Sequence, residues 1–192
     1  MPERRIPWRR VASSLGGQLE VKTVLRATEF SMRLRRDGIP VQVRGRSAPY
    51  SLTGGETEIS ARTPTASSDV VTVLRDMGDV PVLRRFFLRD VNVGDTLFDV
   101  MWLINGSREA TTQAYLGAKE RKLIAAVPGS DHGVSGSFFY NFDVRGHRVV
   151  ASTIGFERDA DRMIAAIEAV VALARRPESL REEWTALSAR LD

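Results

Sequence analysis

The spacing of apolar positions changes several times along this chain, and each change marks an element. In PWRRVASSL (residues 7–15) Trp8, Val11, Ala12 and Leu15 recur at helical intervals, with Pro7 in the first turn and Gly16-Gly17 at the end. From Leu19 the period drops to two. Val21, Thr23 and Leu25 share one side, as do Phe30, Met32 and Leu34, while Ser31, Arg33 and Arg35 take the other. Asp37-Gly38 is a hairpin signal, after which Val41 and Val43 resume the apolar side opposite Gln42 and Arg44. The pattern predicts an antiparallel hairpin with one apolar face and one basic face.

The densest apolar run is LRRFFLRDVNVGDTLFDVMWLING, residues 83–106. It reads as two strands turning at Asn92-Val93-Gly94-Asp95, the second with Phe98, Val100, Trp102 and Ile104 on one side and Asp99, Met101 and Leu103 on the other. A strand apolar on both faces belongs in the middle of a sheet. Between this run and the first hairpin, residues 45–69 are rich in Ser, Thr, Gly and Pro. They read as a long flexible loop in which 56–62 is at best a short edge strand. Residues 69–77 fit either a brief helix or a strand.

Ser107 suits the N-cap of a helix over 108–127, interrupted at Gly117. After the glycine-rich loop 129–137, residues 138–144 and 148–154 read as a hairpin turning at Arg145-Gly146-His147. Ala160, Met163, Ile164, Ile167, Val170, Val171 and Ala174 form the stripe of a helix over 158–175, with acids at its start and Arg175-Arg176 at its end. Pro177 then opens a second amphipathic helix carrying Leu180, Trp184, Leu187 and Leu191. Together these elements predict an α+β domain over residues 1–176: an antiparallel sheet of six to eight strands with helices 108–127 and 158–175 packed against it. Residues 177–192 form a C-terminal helix, docked on the domain or facing a partner.

With 43% hydrophobic and 27% charged residues over 192 positions, the chain is long enough to bury one core. The net charge is +4, and of 28 basic residues only Lys22, Lys119 and Lys122 are lysine. Arginine is the better residue for planar contacts with carboxylate or phosphate. The absence of cysteine excludes disulfides, thiolate chemistry and zinc–sulfur or iron–sulfur centres. No apolar run approaches the roughly 20 residues of a membrane-spanning helix. MPERRIPWRR lacks the apolar core of a secretory signal, so a cytoplasmic protein is expected.

Candidate chemistry is sparse. The two histidines, His132 and His147, form no metal-binding pattern, and no Walker lysine, Gly-x-Gly-x-x-Gly or Gly-x-Ser-x-Gly is present. No cofactor is therefore expected, and no metal ligand or catalytic residue is assigned. Asp131-His132 could be half of an acid–base pair, with Asp99 in the same cleft. On the predicted central strand, Asp99 needs a partner to offset its lost hydration, for which an arginine is the natural candidate.

Parts of the chain resemble a broad family of uncharacterised bacterial proteins that open on W-x-x-h-A (h, hydrophobic). Their central phrase has the form D-h-x-h-G-D-x-x-F-D-x-x-F-x-h-x-G. Trp8 to Ala12, Asp90 to Asp95, Phe98-Asp99, Asn105-Gly106 and the helix Met163 to Leu173 carry the resemblance, with Trp102 in place of the second phenylalanine. The resemblance implies a fold and no activity.

Three functions follow from these residues. The first is a non-catalytic binding or assembly domain, acting through self-association or a protein partner engaged by Leu180, Trp184 and Leu187. The second is a binder of nucleic acid or acidic lipid through Arg33, Arg35 and Arg44. The third is an enzyme using Asp131, His132 and Asp99.

Overall fold

The computed structural model describes residues 5–24, 27–47, 55–75, 90–127 and 141–188. In chain order the strands are β1 Gln18–Val24, β2 Ala27–Arg36, β3 Ile39–Ser47, β4 Gly55–Arg75, β5 Trp102–Gly106 and β6 Asn141–Ile154. The helices are α1 Arg5–Leu15, α2 Thr96–Met101, α3 Glu109–Tyr115, α4 Ala118–Ala125 and α5 Ala160–Ser188. The α+β prediction holds: the described strands form one six-stranded antiparallel sheet in the order β1-β2-β3-β4-β5, with β6 paired to β4.

The sheet is organised around β4, which is 21 residues long. One edge of β4 takes β3 along Gly55–Ala61 and β5 along Val71–Arg75, and the other takes β6 along most of its length. The expected loop over 45–69 is therefore corrected, since described residues on both sides of 48–54 belong to β3 and β4. The Ser, Thr and Gly content concealed a period of two: Thr57, Ile59, Ala61 and Thr63 are buried and alternate with Glu56, Glu58, Ser60 and Arg62. Pro64 falls where the pairing with β6 shifts register, the place a strand tolerates a residue without an N–H.

The same long pairing corrects the hairpin expected over 138–154. Within the described part β6 is continuous, and Gly146, at φ +53°, sits in a bulge opposite Ser67 rather than in a turn. The β2–β3 hairpin turns as expected at Asp37 (φ 48°) and Gly38 (φ 80°), the two left-handed residues of a type I′ turn.

The central apolar run folds differently from its reading as a strand pair. Residues 83–89 lie outside the described residues, and 96–101 are helical. The Asp95 carboxylate accepts from the Phe98 N–H and caps α2, so the chain turns before it extends into β5. Phe98 and Trp102 are buried and stacked at 5.8 Å, whereas Val100, read as their strand-mate, is exposed. Strand β5 pairs with β4 on one side and, among the described residues, makes an Asp90–Asn105 bridge on the other.

The core lies on one face of the sheet. Phe30, Met32, Val41, Val43, Ile59, Val71, Phe142 and Val149 point into it, and the buried stripe of α5 from Ala160 to Ala174 covers them. Trp8 of α1 completes this layer against Phe30 and Phe156, with ring centroids 5.2 and 5.6 Å away. Gly45 on β3 makes room for the indole, because a Cβ there would stand 2.6 Å from Trp8 Cη2. As predicted, the helical region 108–127 breaks at Leu116-Gly117 into α3 and α4.

Helix α5 is not broken at Pro177, as the spacing suggested, but runs through it for 29 residues. Proline lacks the N–H that would bond the carbonyl four residues back, which is that of Leu173. The buried Tyr115 hydroxyl from α3 donates to that carbonyl instead. A tertiary contact thus supplies what the local sequence removes.

Candidate functional site

Among the described residues, four polar constellations and one exposed helix segment are the places where chemistry or recognition could reside. The most buried surrounds the start of α5. Arg162 grips Glu157 through two hydrogen bonds of 2.7 Å, with side chains 9% and 0% exposed. The carboxylate also accepts from the Arg158 and Asp159 N–H groups at 2.8 Å each. The Glu157 backbone is tied in as well, its N–H donating to Thr57 Oγ1 and its carbonyl accepting from Trp8 Nε1. Asp159 caps the helix by accepting from the Asp161 and Arg162 N–H groups. Every oxygen of Glu157 is engaged, so the group is held in place.

The second constellation is the central phrase. Asp99 accepts from the Val93 N–H at 3.0 Å and the Asp95 N–H at 3.1 Å, so its partner is backbone rather than the expected arginine. It sits on α2 rather than on a central strand, which is the physical reason: a loop folded over its carboxylate presents amide protons to it. Asp90 accepts from the Ile104 N–H, Gln113 donates to the Asn92 carbonyl, and Gly94 takes φ +76°. Arg121 of α4 reaches Asp95 at 3.2 Å and the Leu116 carbonyl at 2.6 Å. The Phe98 N–H, and after it Arg121, hold the Asp95 carboxyl below its ordinary range. A lowered folded-state value contributes stability above the unfolded pKa and loses it as pH falls through the folded one. Asp95→Asn should therefore flatten the acid side of a stability–pH curve measured by denaturant titration.

The third constellation joins α3, α4 and α5. Arg176 donates through Nε and Nη2 to the Ala114 carbonyl at 3.1 and 2.8 Å, and through Nη1 to Glu183 at 2.7 Å. Its Nε also lies 3.8 Å from the buried Glu120 carboxylate. A Cβ at Gly117 would approach Glu120 Oε2 to 2.7 Å, so a larger residue there would displace the Glu120 carboxylate. Burial, and secondarily the Glu120 charge, push the Tyr115 hydroxyl's pKa upward. Arg176 thus serves as a clamp between helices, a role its position after the apolar stripe did not reveal. Acids at a helix start could have pointed to Asp159, but nothing local marked Glu157, Arg162 or Glu120.

The fourth lies on the outer face of the sheet. Arg33, Arg35 and Arg44 are all exposed there, on the side predicted for them. They do not form one cluster. Arg33 pairs in register with Gln42, Arg35 with Pro40, and Arg44 with Ser31 and Glu58. Arg35 donates to the Gly38 carbonyl at 3.0 Å and is committed to its own turn.

The helix segment is the end of α5. Leu180 is half-buried and packs on the core, while Trp184 is 71% exposed. The Leu187 side chain lies outside the described residues, as do Asp131 and His132, so the expected Asp131–His132–Asp99 cleft has only Asp99 in view. Among the described residues no group of three histidines or carboxylates could hold a metal ion. Among them, too, no helix is long and apolar enough to cross a membrane.

These features define an α+β protein whose described buried polar groups serve architecture. No family model and no curated protein matches the sequence. Among solved structures, the fold is similar to that of the mycobacterial trehalose monomycolate transport factor A, TtfA. The TM-score is 0.54 at 11% identity, covering 90% of this chain and 95% of that one. At that identity the likeness is one of fold.

Proposed function

We propose that this protein is a non-catalytic binding or assembly factor that engages a protein partner through the final turns of α5. One observation carries the reading: the helix continues well past Ala174, the last residue of its buried stripe, and presents Trp184 71% exposed. Large aromatic side chains on a rigid element are the usual anchors of protein interfaces. Around it Glu178, Arg181, Glu182 and Glu183 carry charges of both signs, as the polar rim of such an anchor does. The fold shared with a protein described as a transport factor, and not by a reaction, supports the same reading.

The test is size-exclusion chromatography with light scattering on the intact protein and its Trp184→Asp variant, with affinity capture by both. The reading expects an assembly or a specific partner that Trp184→Asp abolishes while the circular-dichroism spectrum is kept. A monomer with no partner in either case sinks it.

A further inference from the structure

The outer face of the sheet holds a second feature, independent of α5. Reading the registers across the strands places its charges in rows. Toward the β3–β4 end opposite the Asp37-Gly38 turn, Lys22, Arg44 and Arg46 are interleaved with Glu20, Glu29, Glu56 and Glu58. At the other end Arg33, Arg35, Arg62 and Arg148 occupy the rows with no acid among them. Arg62 and Arg148 are direct cross-strand partners. Like charges so placed repel, and an anion between them would relieve the repulsion.

A concavity of about 460 Å³ brings Arg33, Arg62, Arg148 and His147 to one place, with Gln42 and Ser60 between the arginines. Arg62 forms no ion pair or hydrogen bond with a described residue, and Arg33 is close enough to Glu20 to feel its charge without pairing with it. Arg148 leans on Glu58 at 2.8 Å and keeps its remaining N–H donors. His147 is turned toward Thr63, its Nδ1 3.3 Å from the Thr63 carbonyl. Three arginines less Glu58 leave a charge of +2. A phosphomonoester carries about −1.5 to −2 at neutral pH and several acceptor oxygens. Pro40, exposed beside the arginines, lines the same hollow and offers an apolar surface to an attached organic body.

We propose that Arg33, Arg62 and Arg148 form a binding site for a phosphomonoester, free or as a lipid headgroup. Titration calorimetry of the full chain with glycerol 3-phosphate tests the free form. Flotation with phosphatidylcholine vesicles containing phosphatidic acid tests the headgroup. Binding in either arm at low ionic strength is expected, and the positive arm identifies the source. Arg33→Glu and Arg62→Glu should each weaken it by about tenfold or more, while Arg44→Glu, in the mixed rows, changes it by less than about twofold. No binding in either arm overturns the assignment. So does an equal loss with Arg44→Glu, or selective capture of a single-stranded oligonucleotide that needs Arg44 and Arg46, either of which would make the face a diffuse polyanion surface.

Discussion

The two halves of α5 are one continuous helix built on opposite principles. From Ala160 to Ala174 it is a core element: Met163, Ala166, Ile167 and Val170 are wholly buried, and its first turn is locked by the Glu157–Arg162 pair. From Arg175 onward no described residue is fully buried, and its largest side chain, Trp184, faces outward. Continuity of backbone does not imply continuity of role. The first half is held by burial, whereas the second is carried past Pro177 by groups of α3, the Tyr115 hydroxyl on the Leu173 carbonyl and the Ala114 carbonyl on Arg176.

The strongest way to break this contrast is at the buried pair. Arg162→Met leaves Glu157 as an uncompensated buried charge and should cost about 3–5 kcal/mol in denaturant unfolding. Adding Glu157→Gln should recover part of the loss, since the amide oxygen still accepts from the Arg158 and Asp159 N–H groups. A small loss in the single variant would mean that the first half is not anchored there.

The boundary itself can be sharpened with Tyr115→Phe, which strands the Leu173 carbonyl and should destabilise by about 1–3 kcal/mol. In a Pro177→Ala background the restored N–H satisfies that carbonyl, so the same substitution should cost clearly less. A double-mutant cycle with no coupling would show that the tyrosine does not stand in for the missing donor.

At the far end, Trp184→Ala should change stability by no more than about 0.5 kcal/mol. Its effect should appear in assembly instead. A large drop in unfolding midpoint would make Trp184 a structural residue and merge the two halves.

The boundary at Pro177 shows what kind of information each level holds. The apolar stripe ending at Ala174 was legible in the spacing, and so was the change of role at Arg175-Arg176. That the helix itself continues was not, because the missing hydrogen bond is made good by a residue 58 positions away. The candidate sites divide in the same way. The exposure of Arg33, Arg35 and Arg44 followed from alternation, but their separation into mixed and purely basic rows depended on registers with β4 and β6. Those registers brought in Arg62 and Arg148, which no local pattern had joined to them.

By itself the sequence determined what local sterics and periodic burial determine. These are the amphipathic α1, the Asp37-Gly38 turn, the break at Gly117, the face each hairpin residue takes and the α+β class. Only the tertiary structure decided that residues 55–75 form one strand, that 96–101 coil into a capped helix, that Gly146 bulges rather than turns, and that Pro177 does not end α5. In each case the deciding hydrogen bond or cross-strand partner lies outside the local run, and no reading of adjacent residues can supply a contact that only folding brings together.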